Sequence, residues 1–161
     1  SCSKIEHIKK KYDLNKYILL FPFCSPHLTA KKWPYYNELI NLIKTKFKDE
    51  YKILVAPGPE EIDQAKKFNA VSVLNDQKSL NVSELSSLIK ESSFIVANDT
   101  GPAHMAAHLD VRGLTLFGSH TTAYKVSIET QKFKPIQVDN LSKLSAQKVL
   151  EKIISSIANK N

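Results

Sequence analysis

Hydrophobic and polar positions fall in blocks along this chain. Tyr17 to Phe23 (YILLFPF) is an apolar run closed by turn-forming residues, and from Pro34 to Phe47 the positions Tyr36, Leu39, Ile40 and Ile43 recur at helical spacing. A strand followed by a helix is predicted. Tyr51 to Ala56 (YKILVA) predicts a second strand, broken by Pro57-Gly58-Pro59 and followed by a charged helix to about Phe68. Val71 to Leu74 is a short third strand, after which Asn81 or Ser83 caps a helix carrying Leu85, Leu88 and Ile89 on one face. Ser93 to Ala97 (SFIVA) is the fourth strand. Its continuation, Asn98-Asp99-Thr100-Gly101-Pro102, is a turn with helix-start chemistry, and Ala103 to Leu109 is rich in helix formers. Gly113 to Phe117 predicts a fifth strand and Lys134 to Val138 a sixth. Ser142 or Ser145 then caps a closing helix with Val149, Ile153, Ile154 and Ile157 inward.

Strands that alternate with helices need right-handed crossovers and a parallel sheet covered on both faces, so the expected fold class is α/β, a doubly wound parallel sheet. Residues 1–16 read as an N-terminal tail or interdomain linker and residues 17–161 as one globular domain. Ligands of such sheets bind at the carboxyl ends of strands. The loops Cys24 to Lys32, Gly58 to Glu61, Asn98 to His104 and Gly118 to Thr122 are therefore expected to converge on one edge.

Composition narrows the function classes. The net charge of +7 suits an anionic partner, whether nucleic acid, an anionic membrane surface or a phosphorylated small molecule. Arg112 is the only arginine, whereas base-reading proteins lean on the arginine fork, and no nucleic-acid motif is present; a nucleic-acid partner is not expected. The two cysteines, Cys2 and Cys24, have no disulfide-framework or metal-knuckle spacing, and no run of about eighteen apolar residues occurs. A soluble chain in a reducing cytoplasm is the expectation. His104 and His108 have a zinc-pair spacing, but no glutamate takes the metalloprotease position and Met105-Ala106-Ala107 between them reads as packing, so no metal is expected. The absence of a Walker A loop, a GxGxxG fingerprint and a nucleophile elbow argues against NTPase, dehydrogenase and hydrolase functions.

The fourth-strand loop has the sharpest chemistry. Gly101 lets a ligand approach the backbone, Pro102 leaves no wasted donor at a first helical position, and the amides that follow carry the positive end of a helix dipole. Such a start suits a pyrophosphate, with Thr100 adding a hydroxyl and His104 an imidazole from the first turn. Asp99 is either an ordinary helix cap or a ligand for hydroxyls of a sugar attached to that phosphate. In the first loop, Ser25, His27 and Thr29 lead to Lys31-Lys32-Trp33-Pro34; paired with the fourth-strand loop, they make a phosphate clamp. Glu60 and Glu61 beside Gly58 are either first-turn charge stabilising a helix or a carboxylate for a ribose diol.

The residues Asn98-Asp99-Thr100-Gly101-Pro102-Ala103-His104-Met105-Ala106-Ala107, followed by Leu116-Phe117-Gly118, resemble the signature of glycosyltransferase family 9, the lipopolysaccharide heptosyltransferases. Phe21-Pro22 through Ser25-Pro26-His27 to Lys31-Lys32-Trp33-Pro34 is similar to that family's other hallmark loop, and the resemblance runs from about Tyr17 to Ile157. One departure is Phe23, which stands where the family has a glycine.

The resemblance implies the C-terminal, Rossmann-like half of a two-domain GT-B glycosyltransferase, which binds a nucleoside-diphosphate sugar, typically ADP-heptose. A missing N-terminal domain would present a lipid-linked lipopolysaccharide or envelope glycan acceptor and supply the catalytic base, so no residue of this chain is assigned a catalytic role and the segment alone is expected to be inactive. By motif position, Lys31 contacts the diphosphate, Thr100, Gly101 and Pro102 form the helix-start cradle, Asp99 and His104 approach sugar and phosphate, and Glu61, with Glu60 as near alternative, takes the ribose. The full enzyme is expected to be an inverting, metal-independent transferase without cofactors at the cytoplasmic face of a membrane, with lysines aiding peripheral attachment. The alternative function is a stand-alone nucleotide-binding module without transfer activity.

Overall fold

The computed structural model describes residues 5–24, 32–119 and 129–159. Ser25, His27, Thr29, Lys31 and Thr122 lie outside these residues. The elements run α1 (Glu6–Tyr12), β1 (Tyr17–Phe21), α2 (Tyr36–Phe47), β2 (Lys52–Val55), α3 (Ile62–Ala65), β3 (Val71–Ser72), α4 (Val82–Lys90), β4 (Phe94–Asn98), α5 (Gly101–His108), β5 (Gly113–Phe117), β6 (Phe133–Gln137), a 3₁₀ turn (Leu141–Lys143) and α6 (Ala146–Ala158). All five strand pairings are parallel, in the order β3-β2-β1-β4-β5-β6. The α/β, doubly wound architecture is the one the pattern predicts.

β1, β4 and β5 are buried along their whole length, as strands covered on both faces must be. Alternation sorts their side chains between two cores. Ile18, Leu20, Phe94, Val96, Leu114 and Leu116 point into one, closed by α2 through Leu39, Ile40 and Ile43 and by α6 through Val149, Leu150 and Ile153. Leu19, Phe21, Ile95, Ala97 and Phe117 point into the other, against α4 (Leu88, Ile89) and the alanines of α5.

Element edges depart from the predictions for local reasons. β1 stops at Phe21, because Pro22 has no N–H for the ladder. The helix after β2 is one α-turn, and it continues to Phe68 only through bonds of the i to i−3 kind: Lys66 N–H to Asp63 O, Lys67 N–H to Gln64 O and Phe68 N–H to Ala65 O. Asn81, not Ser83, caps α4: its side chain accepts from Glu84 N–H at 2.8 Å while Glu84 accepts from Asn81 N–H at 3.0 Å, a reciprocal capping box. Ser145, not Ser142, caps α6 through Lys148 N–H at 3.1 Å.

Within the stretch expected to be a tail or linker, residues 6–12 are helical, and Ile5, Ile8 and Leu14 are buried in the second core. Residues 5–14 thus pack against the sheet through these three side chains. Tyr12 ties α1 to the segment after β3, its hydroxyl donating to Leu74 O at 3.2 Å and accepting from Leu74 N–H at 3.1 Å.

Candidate functional site

The sheet reverses winding direction between β1 and β4, the crevice where doubly wound folds bind ligands. The last paired residues there are Phe21 and Ala97, so the loops after β1 and β4 leave side by side. The β2 loop flanks them across β1, and the β5 loop across β4. All four predicted loops therefore leave the same carboxyl edge. Ser25 and Lys31 of the predicted site lie outside the described residues; Glu61, Asp99, Thr100, Gly101, Pro102 and His104 are on that edge.

Residues flanking the 25–31 segment are held by an aromatic cluster. Phe23 is 4% exposed and meets Phe68 edge-on at 5.8 Å, so its side chain fills the core. On the far side, Trp33 stands edge-on to Tyr36 at 4.9 Å and donates its indole N–H to Leu144 O at 2.8 Å. Both ends of the first loop are fixed to the α2–α6 face.

The same cluster reaches the fourth-strand loop. Tyr36, fully buried on the first turn of α2, donates its hydroxyl to Asn98 Oδ1 at 2.9 Å. Burial, and secondarily the neighbouring Cys24, holds this phenol well above its ordinary pKa, so it remains a neutral donor. Asn98 is 0% exposed and its Nδ2 has no hydrogen-bond partner among the described residues. The sequence placed Tyr36 on the core face of a helix and Asn98 at the start of a turn; their partnership across 62 residues had no local signal.

Thr100, not Asp99, occupies the N-cap position of α5, and Asp99 is buried at 4% exposure. The Thr100 hydroxyl makes no cap bond; it donates to Asn98 O at 3.3 Å, leaving only its lone pairs for other groups. Thr100 O accepts the N–H groups of both Ala103 (3.1 Å) and His104 (3.4 Å). The amides following Pro102, predicted to face a ligand, are thus used inside the turn. Gly101 N–H is the first-turn donor without a partner among the described residues, and Pro102 carries none. His104 and His108 are exposed on the same helix.

Two glycines show opposite causes. A Cβ on Gly113 would sit 2.5 Å from Ile95 O and 2.7 Å from the Phe133 ring, so packing demands that glycine. Among the described residues, a Cβ on Gly101 would meet nothing within 4 Å, and its φ is not positive. No described neighbour requires a glycine at 101.

On the other side of β1, Glu61 folds back over the β2 turn, its Oε1 accepting from Gly58 N–H at 2.9 Å. Its second carboxylate oxygen has no protein partner among the described residues, while Glu60 is exposed. A cleft of about 350 Å³ opens at this carboxyl edge between Lys32, Ser119 and the β6 loop residues Asp139, Asn140 and Ser142. Sequence reasoning missed the β6 loop because its place beside Lys32 depends on strand order.

The fold is that of the Rossmann-like half of GT-B glycosyltransferases, as comparison with solved structures shows. The E. coli heptosyltransferase WaaC, solved with ADP, superposes with a TM-score of 0.75 at 24% identity over 89% of this chain and 45% of its own. E. coli ADP-heptose lps heptosyltransferase II gives 0.75 at 18% identity, covering 98% and 53%. The family 9 glycosyl transferase of Veillonella parvula DSM 2008 gives 0.76 at 13%, covering 98% and 51%. This chain spans about half the length of these relatives. No curated protein matches it by sequence. The family profile described as Glycosyltransferase family 9 (heptosyltransferase) matches residues 2–153, and the chain belongs to that family.

Proposed function

We propose that this chain is the donor-binding part of an inverting glycosyltransferase that transfers a sugar from a nucleoside-diphosphate sugar to a lipopolysaccharide or envelope glycan acceptor. The observation that supports this reading is Gly101: among the described residues the backbone there keeps open space and an unengaged N–H at a helix start, and no described neighbour requires a glycine. Adenine diphosphate chemistry is favoured because one similar structure holds ADP and another is named for ADP-heptose.

In this reading the diphosphate lies against Gly101 N–H and the positive end of α5, with Lys31 reaching it from the first loop. The Glu61 oxygen not engaged by Gly58 accepts a ribose hydroxyl, and Asp99 with His104 addresses the sugar and its phosphate. The acceptor hydroxyl attacks the anomeric carbon opposite the diphosphate, and the bond from that carbon to the diphosphate oxygen breaks. Charge then grows on the departing nucleoside diphosphate, where fixed dipoles and an ammonium stabilise it more than in the ground state. The acceptor's proton goes to a base outside this chain, so the chain alone does not turn over. The reaction runs at the cytoplasmic face of a membrane without a metal ion.

Calorimetric titration of the chain with ADP, UDP and GDP in the presence of EDTA tests the reading. ADP is expected to bind in EDTA. Failure of all three to bind, or binding that appears only with added magnesium, would overturn it.

A further inference from the structure

At the amino-terminal edge of the sheet, opposite the candidate donor site, a cleft of about 480 Å³ opens between β5, β6 and α6. Its walls carry Arg112 just before β5, Lys132 and Lys134 at the start of β6, and Lys152 on α6. At roughly 3.3 Å per residue, β5 alone separates Arg112 from the carboxyl edge by about 17 Å.

Four cations from three elements share this cleft with the carbonyl end of α6, to which Arg112 donates one bond. Lys132 lies 3.5 Å from Asp110, and Lys134 lies 3.9 Å from Glu129; all four of those side chains are about half exposed or more, so both pairs are weak and readily exchanged. Arg112 and Lys152 have no carboxylate partner among the described residues. Arg112 is half-buried, and among the described residues its guanidinium makes one bond, Nη1–H to Ser156 O at 3.2 Å. That bond uses one of five donors, and the others have no partner among the described residues. A chain that otherwise uses lysine for its charge has its single arginine here, where a planar fork can grip a phosphate with two parallel bonds.

The geometry points to a second, phosphate-binding site in this cleft, distinct from the donor site and independent of the donor reading. The ligand is a phosphate-bearing anion held bidentately by Arg112 and neutralised by Lys132, Lys134 and Lys152. It comes either from a lipid headgroup or from a soluble phosphate compound.

The test is nuclear magnetic resonance of the labelled chain titrated with inorganic phosphate against sodium chloride of equal ionic strength. Shifts specific to phosphate should cluster at the Arg112 side chain, Gln131, Lys132 and Ser156. Lys152→Gln, an exposed change that leaves the fold intact, should weaken them, and Arg112→Lys, which keeps the charge but loses the fork, should weaken them roughly tenfold. Sedimentation with vesicles of phosphatidylcholine and phosphatidylglycerol, but not of phosphatidylcholine alone, assigns a lipid source if Lys152→Gln reduces it; no sedimentation beside intact phosphate shifts assigns a soluble one. Shifts equal in phosphate and chloride, spread over all lysines, or unchanged in both variants would overturn the proposal.

Discussion

Tyr36→Phe removes one oxygen and leaves the shape of the aromatic cluster unchanged, so its cost isolates the bond that holds the fourth-strand loop. In the parent, Tyr36 donates to Asn98 Oδ1 at 2.9 Å, and Asn98 Nδ2 already has no partner among the described residues. The variant strips the fully buried amide of its described side-chain hydrogen bond. An unsatisfied buried polar group costs about 1–3 kcal/mol, and at about 2–4 °C per kcal/mol for a domain of this size the melting temperature should fall by about 2–12 °C. Calorimetric melting measures it. A double-mutant cycle adds the decisive arm: in an Asn98→Leu background both partners are apolar, so Tyr36→Phe should cost at least about 0.5 kcal/mol less there than in the parent. Equal costs in the two backgrounds, or no loss of stability in Tyr36→Phe alone, would refute the argument that this pair anchors the loop before Asp99 and Gly101.

Lys31→Ala should weaken ADP binding about ten- to a hundredfold, the loss of one charge-assisted contact, with stability unchanged; Lys32→Ala, whose side chain lines the neighbouring cleft, should alter it less than about threefold. Equal losses in both, measured by titration calorimetry, would indicate diffuse attraction instead of a clamp. Alkaline pH should destabilise the chain through Tyr17 and Tyr36, whose hydroxyls burial holds well above the ordinary phenol pKa. Their contribution is whole below about pH 10. It is lost as pH rises toward the folded values, because the unfolded chain releases protons that the folded chain keeps. Tyr17→Phe should flatten the fall in unfolding free energy above pH 10 by about 1.4 kcal/mol per pH unit, and an unchanged slope in denaturant titrations would contradict the assignment.

What the sequence disclosed and what it hid have separate physical causes. Fully buried parallel strands are apolar runs, so YILLF, FIVAN and GLTLF stand out, and Gly101-Pro102 announces a helix start without any tertiary context. The first helix is hidden because Glu6, His7 and three lysines around it mask the spacing of Ile5 and Ile8, which only the sheet face reveals. Alternative caps such as Asn81 and Ser83 differ by the reciprocal Glu84 bond, a matter of geometry. The candidate site was legible where one loop carries it, at Asp99 to His104. It was not legible where strands far apart in sequence supply the parts: the Tyr36–Asn98 bond, the Glu61 carboxylate turned onto Gly58, and the β6 loop beside Lys32. The Thr100 hydroxyl and the amides after Pro102 were assigned outward from sequence, yet the folded turn engages them internally.

Gly101→Ala puts the central claim to its most direct test, because no described residue lies within 4 Å of the new Cβ and the backbone there is not left-handed. Alanine at this position should leave melting unchanged or raise stability by about 0.4–1 kcal/mol through a less flexible unfolded chain, while its methyl occupies the approach to Gly101 N–H. Titration calorimetry with ADP in EDTA, run beside a thermal melt, reads both effects in one preparation. The account predicts ADP affinity at least about tenfold weaker, or 1.4 kcal/mol, in a variant at least as stable as its parent; a stable variant that binds ADP as tightly as the parent would contradict it.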